Sequence, residues 1–308
     1  MGAISLRSRS RAAAPVVAST QLGRRAQARF AREVARLAVG SLHVELCLYP
    51  KPGLVSPVDN GSHDDMDAAT FMRSLFSLRH YFKKICLAGL NDAPFSQLKQ
   101  LGIAAEAAML KATRGVNTHR GAIFSLGMLC ATAGRARAQG TPMTPAALRA
   151  AMLIRWGEEL AMHAAQAAPP VLSNGLRVAA QYSVSGAREE GALGLPSVFE
   201  IGVPAMLAAR ARGASMTMAR IDTLFVLMAH ISDSNVYHRA GPQGAHIVRA
   251  SAQRFIDLGG TAYPGWHDEA LASHRLFVQQ RLSPGGAADL LAASCLVLAI
   301  AALDAGQQ

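Results

Sequence analysis

Lys51, Asp59, His63, Asp64 and Asp65 fall within fifteen residues, in the run YPKPGLVSPVDNGSHDDMD from Tyr49 to Asp67. Three prolines and two glycines forbid a regular helix through this run. A rigid loop with one cation, one imidazole and several carboxylates is suited to holding a metal and a polyanion together. Loops fixed on a rigid scaffold are also where chemistry tends to sit. A simpler reading is that Asp65 or Asp67 caps the helix that follows. Capping needs one acid, however, and leaves the rest of the cluster unexplained. Glu45 stands just ahead of the run, among Leu42, Leu46 and Leu48. A carboxylate on an apolar helix face is costly unless it is paired or metal-bound.

Four further polar segments sit where helices should begin or end. Thr113–Gly121 (TRGVNTHRG) offers Asn117, Thr118, His119 and Arg120 as donors. Gly115 and Gly121 would let backbone approach a ligand, at a helix start that attracts anions. Glu106 lies seven residues before Thr113. Ser183–Glu190 (SVSGAREE) contains Ser185 and Arg188. Asp233–Arg239 (DSNVYHR) offers Asp233 and Asn235 to a metal or a ribose hydroxyl, and Arg239 to a phosphate. Ser283–Asp289 (SPGGAAD) is a glycine-rich helix start, with Gly285 and Gly286 ahead of an acid that suits the helix dipole. The P-loop, dinucleotide, nucleophile-elbow and zinc-protease motifs are all missing. Acids dominate and histidines are scattered, so a hard ion such as Mg²⁺ suits the donors better than zinc.

The elements that must carry these segments read as helices. Hydrophobic residues make up 51% of the 308, charged residues 17% and aromatics 6%, which permits a large core with few β-forming runs. Apolar residues recur at helical spacing over roughly 26–48, 67–88, 95–112, 119–138, 144–165, 197–212, 217–231, 243–258, 267–281 and 286–304. Thr144 and Pro145 form a start signal for the fifth of these. The expected fold is all-α, a single multi-helix domain over residues 26–308 with functional loops at helix junctions. Ala168-Pro169-Pro170 reads as a kink or loop.

Residues 1–25 read as a disordered basic tail. Their Ala, Ser and Arg content is also that of a transit peptide, whereas a secretory signal is not expected, because the apolar run Ala12–Ala18 is short and contains Pro15. Residues 1–40 hold +7 of the formal net charge of +11, so the body is only mildly basic. No basic stripe is interleaved with aromatics, which argues against single-strand nucleic-acid binding. Cys47, Cys86, Cys130 and Cys295 are widely spaced and read as free thiols of a reducing compartment. The apolar stretch Leu290–Leu303 is too short for a span of ~20 residues. A soluble, cytoplasmic protein without membrane or nucleic-acid partners is the expectation.

Together, in this order, the segments resemble the triphosphoribosyl-dephospho-CoA synthase family. The strings that carry the resemblance are YPKPGLV and GSHDDMD within Tyr49–Asp67, TRGVNTHRGAIFSLG from Thr113, SGAREEGALGLP from Ser185, DSNVYHRAG from Asp233 and SPGGAADLLA from Ser283. The resemblance covers roughly residues 30–305. It implies an all-helical enzyme that joins ATP to 3′-dephospho-CoA and releases adenine. The product, 2′-(5″-triphosphoribosyl)-3′-dephospho-CoA, is the prosthetic-group precursor for the acyl carrier subunit of malonate decarboxylase or citrate lyase, and general similarity leans to the former. A holo-acyl-carrier-protein synthase would receive it. Arg120 stands where the family pattern leads one to expect lysine, which keeps the charge and changes the geometry.

Substitution at an anomeric carbon builds oxocarbenium character. It needs a base at the attacking hydroxyl, a donor at the leaving purine and cations over the triphosphate. On that chemistry Glu45, Asp64, Asp65, Glu106 and Asp233 are the candidate Mg²⁺ ligands. Lys51, Arg120, Arg188 and Arg239 are candidates for phosphate. His63 or a neighbouring acid such as Asp65 is the candidate base, with His119 as the second choice. Asn117 and Asn235 would hold ribose hydroxyls or the leaving base. Gly53, Thr118, Gly121, Ser185, Ser283, Gly285 and Gly286 complete the expected substrate contacts. Two rival readings are a Mg²⁺-dependent helical N-glycosidic hydrolase and a non-enzymatic nucleotide- or RNA-binding protein, the latter prompted only by a pI near 10.2.

Overall fold

A computed structural model describes residues 16–165 and 187–305. The described residues are helical, without a strand. The helices are α1 (Val16–Leu46), α2 (Ala68–Ser77), α3 (Arg79–Leu90), α4 (Phe95–Ala112), α5 (Arg120–Gln139) and α6 (Pro145–Ala165). They continue with α7 (Ala187–Ala192), a π-turn (Ser197–Gly202) running into α8 (Val203–Ala211), α9 (Met216–His230) and α10 (Ser234–Asp257). A 3₁₀ turn (Gly260–Ala262), α11 (Trp266–Gln279) and α12 (Gly285–Ala305) complete the order. The all-α expectation holds.

Helix α1 begins well before residue 26 and takes in Val16–Arg25, which the sequence assigns to the tail. Its Ala, Leu, Gln and Arg content is that of good helix formers. Further along, Phe30, Ala31, Val34, Ala38 and Leu42 are buried while Arg25, Arg29, Arg32 and Arg36 face solvent. Much of the basic surplus is therefore the outer face of an amphipathic helix.

The single helix expected over 67–88 is two helices. Ser77 Oγ takes the Ser74 carbonyl at 2.7 Å, and Leu78 N–H bonds back only three residues, to Leu75 O at 3.3 Å. Local hydroxyl bonding of this kind competes with the helical ladder. Residues 234–239, read as loop, are the first turns of α10. Its break comes at Gly241 (φ 59°, ψ −158°), because Pro242 disfavours the helical region in the residue before it.

Two apolar clusters make the core. One joins α1–α6, the other α8–α11. Helix α12 belongs to both: Ala287 and Leu291 lie in the second, Ala292, Leu296, Val297 and Ile300 in the first. A helix apolar all round is stable only when covered all round. The segment Gly285–Leu303 is long and apolar enough to cross a membrane by composition, but here much of it is covered by protein.

Candidate active site

One large cavity, about 1350 Å³, opens between the two halves, with the N-terminal end of α12 in its floor. Its size exceeds the roughly 300–1,000 Å³ of a typical drug-sized pocket and suits two nucleotide-sized substrates.

The cavity gathers the sequence segments. Glu45, Lys51, His63 and Asp65 come from the α1 end and the proline-rich loop. Glu106, Asn117, Thr118, His119, Arg120 and Gly121 come from α4 and the start of α5. Arg188, Asp233, Asn235 and Arg239 reach it from α7 and α10, and Ser283, Gly285 and Gly286 from the approach to α12. Asp64 and Gly53 are not on its wall, and Ser185 lies outside the described residues. Gly53 (φ +68°) is needed for packing: a Cβ there would meet Leu282 O at 2.1 Å.

The proline-rich loop is pinned from beneath. Ser62 Oγ donates to Phe277 O (3.1 Å) and Leu282 O (2.6 Å), and Asp59 Oδ1 accepts from Gly61 N–H at 2.8 Å. His274 Nε2 stands 3.4 Å from Asp59. Asp67 caps α2 through Thr70 N–H at 2.7 Å. Asp59 and Asp67 are thus frame residues.

Lys51 is 2% exposed and bonds Glu45 Oε1 at 2.6 Å, so these two opposite charges answer each other's burial. Glu106 is taken by the Arg120 guanidinium, whose Nε lies 2.7 Å away. Asp233 receives Asn235 N–H (2.9 Å) and Ala287 N–H (3.1 Å), and so caps α10 and α12 at once. Burial raises its pKa against those amide bonds. Asp289, just past the first turn of α12, has its backbone partner at Ala122 N–H in α5. Its carboxyl is pushed well above the usual range by burial and by the charges of Glu45 and Asp233.

Three helix N-termini, those of α5, α10 and α12, therefore converge on the cavity floor, with protein carboxylates on their amides. At α5, the helix start expected to attract anions, the Ala122 amide is held by the Asp289 carboxylate. The glycines follow from the same packing. A Cβ on Gly121 would stand 2.2 Å from Asp289 Oδ2, and one on Gly286 2.9 Å from Asp233 Oδ2. Asn117 Oδ1 accepts Arg120 N–H at 3.3 Å, the capping role that also explains an Asn before a helix.

His63 is held at both nitrogens. Nδ1 faces the Arg239 guanidinium at 3.0 Å and must accept there, so Nε2 carries the proton and donates to Ser283 Oγ at 2.8 Å. Burial, then the Arg239 charge, lowers its pKa. In this arrangement His63 has no free lone pair for a base. Asp65, 3.4 Å from Nδ1 and 61% exposed, has.

His119 is 1% exposed. Its Nδ1 lies 2.6 Å from Ser74 Oγ, which accepts from Thr118 Oγ1 at 2.7 Å. Nε2 has no protein partner. Burial, helped by the Lys51 charge, pulls the ring down to about 3, so it is neutral.

No group of three or more His, Cys, Asp or Glu side chains is arranged to hold a metal among the described residues. Of the five expected Mg²⁺ ligands, only Asp65 is both on the wall and unclaimed by a cation or amide. The wall carries seven Asp/Glu against five Lys/Arg, so its side chains alone offer a polyanion no net positive charge. That donor set fits a cation arriving on substrate phosphates better than a resident ion, since Mg²⁺ commonly uses one or two carboxylates plus phosphates.

Two contributors escape the sequence reading as site residues. Asp289 was visible only as a first-turn acid. Ser74 has a weaker signal, a serine on the inner face of α2 four residues after Thr70, both buried.

The model of the ATP:dephospho-CoA triphosphoribosyl transferase (CitG) family matches residues 31–308. A protein of Acinetobacter calcoaceticus named "Probable 2-(5''-triphosphoribosyl)-3'-dephosphocoenzyme-A synthase" is 38% identical over 264 residues, 86% of this chain and 89% of its own. One of the same name from Pseudomonas fluorescens strain Pf-5 is 39% identical over 283 residues, 90% of this chain and 94% of its own. The 2-(5''-triphosphoribosyl)-3'-dephosphocoenzyme-A synthase of Pectobacterium atrosepticum is 36% identical over 263 residues, 83% and 85% of the two chains. No solved structure matches.

Proposed function

The chain belongs to the ATP:dephospho-CoA triphosphoribosyl transferase family, and from that premise we propose that it joins ATP and 3′-dephospho-CoA, with release of adenine, in the cavity between its two cores. The observation that carries this reading is the convergence of all five chemistry-bearing segments on one cavity large enough for both substrates.

The 2′-hydroxyl of dephospho-CoA attacks the anomeric carbon of the ATP ribose. The new C–O bond forms as the carbon–N9 bond breaks, and its electron pair leaves with adenine. Asp65 takes the hydroxyl proton, because His63 is committed at both nitrogens, and the departing adenine anion takes up one proton from solvent. Arg239, Arg120 and Arg188 line the wall for phosphates. Mg²⁺ on the triphosphate would supply the positive charge that the wall side chains do not. The apolar side of the cavity, with Phe71, Tyr81, Phe95 and Ile123, suits a purine. We further propose a cytoplasmic enzyme whose product passes to a holo-acyl-carrier-protein synthase of a malonate decarboxylase system, with citrate lyase as the other possible destination.

The test is incubation of the full chain with Mg²⁺, ATP and dephospho-CoA, with chromatography for free adenine. Adenine release that needs both substrates is expected. Release of adenine and free ribose triphosphate without dephospho-CoA would make the protein an N-glycosidic hydrolase.

A further inference from the structure

His119 presents an atom that the folded chain does not satisfy. Its ring is buried, its Nε2 lacks a protein partner, and the residue lines the cavity. Buried polar atoms are partnered in the great majority of cases, so an orphan at a cavity wall marks a place for a ligand atom.

The proton on the ring can be placed from the neighbours. Thr118 Oγ1 donates to Ser74 Oγ at 2.7 Å. The Ser74 hydroxyl hydrogen is then left for His119 Nδ1, the 2.6 Å contact. Nδ1 is thereby the acceptor, and the hydrogen of the neutral ring sits on Nε2. Phe71 packs edge-on to the ring, with centroids 5.0 Å apart, and the Met109 sulfur accepts the His119 backbone N–H at 3.3 Å. These surroundings resist rotation of the imidazole.

We propose that His119 is a fixed neutral hydrogen-bond donor to a ring nitrogen of the leaving purine, N3 or N7, and that Ser74 and Thr118 are positioning residues that set its tautomer. The assignment rests on the transferase reading and replaces the role of base considered for His119. A neutral N–H beside an aromatic ring suits an imine-type nitrogen of a flat base better than a phosphate, which the arginines on the wall can meet. As the carbon–N9 bond breaks, negative charge spreads onto N3 and N7. A donor preset at either atom stabilises that charge without surrendering its own proton.

Adenine-analogue release by the full chain tests this, with ATP, 3-deaza-ATP and 7-deaza-ATP each paired with dephospho-CoA. For the wild type, one deaza analogue should lose roughly tenfold to hundredfold in kcat, with little change in KM. In His119→Leu that discrimination should vanish, since the donor is gone, and His119→Gln should restore part of the rate with ATP. Ser74→Ala should lower kcat and blunt the same discrimination. A wild type indifferent to both analogues overturns the proposal, and so does discrimination that persists in His119→Leu. The wild-type arms need no variant to fold. If the wild type releases no adenine from ATP itself, the transferase reading fails, and this inference with it.

Discussion

Removing the Lys51 ammonium should destabilise the protein more than any surface substitution. Lys51 is 2% exposed, its partner Glu45 is 4% exposed, and the two meet at 2.6 Å. In Lys51→Met the Glu45 carboxylate stays buried and unpaired, close enough to Asp289 that the latter's carboxyl feels its charge. Breaking a buried pair from one side typically costs about 3–5 kcal/mol. With a urea slope of about 3 kcal/mol per molar, the midpoint should fall by a little over 1 M. Glu45→Leu should cost a similar amount. The double variant should recover much of the loss, since an apolar pair of similar volume is often as stable as a buried ion pair. With single costs of about 3–5 kcal/mol each and a double variant at about 1–2, the cycle should show a coupling of at least roughly 4 kcal/mol. Urea denaturation followed by circular dichroism measures all four proteins. A Lys51→Met midpoint within 0.3 M of wild type (about 1 kcal/mol on the same slope) would refute the reasoning. In the restored double variant, an unchanged KM for ATP would also remove Lys51 from the phosphate contacts.

Asp233→Ala strips the cap from two helices and should cost about 2–4 kcal/mol, at roughly 1–2 per cap, with Asp233→Asn losing less; differential scanning calorimetry decides. Gly121→Ala places a methyl against the Asp289 carboxylate and should cost about 1–3 kcal/mol in urea, part of which Asp289→Ala added to it returns. His119 titrates near its ordinary 6.5 when unfolded and near about 3 when folded. The unfolded chain thus binds the extra proton, and stability should fall as pH drops from about 6.5 towards 3, by up to roughly 4–5 kcal/mol. His119→Gln should flatten that dependence; an unchanged acid slope in urea titrations would show that the ring is not held neutral. Chelation by EDTA should abolish adenine release and leave the thermal midpoint unmoved, as befits an ion carried on the substrate. A lowered midpoint would instead mark a resident metal.

Helical spacing disclosed nearly every helix, because amphipathic faces are written locally. The misjudged boundaries were also local in cause but subtler: a Ser77 hydroxyl bonding to a carbonyl, and Pro242 breaking α10 after it had already started. The site segments could be read from residue type, since glycines, acids and arginines at helix ends are chemically conspicuous. What side chains do to one another over long separations was not legible. Glu45 with Lys51 and Glu106 with Arg120 pair expected ligands with cations, Asp289 joins α12 to α5, and each pairing depends on how helices pack. Asp289 could have been suspected, since a carboxylate opening so apolar a helix calls for a partner. Ser74 gave no such warning.

Helix α12 follows, in synthesis order, every other helix of the two cores, yet each core is finished by its side chains. The earlier helices therefore leave the ribosome with a slot that nothing yet fills, and Asp233 waits for half of its amides. The wall of the cavity is likewise incomplete until α12 is in place. A chain stalled or clipped before residue 285 would expose both unfinished cores together, so incomplete synthesis yields a target for quality control and no partially working enzyme.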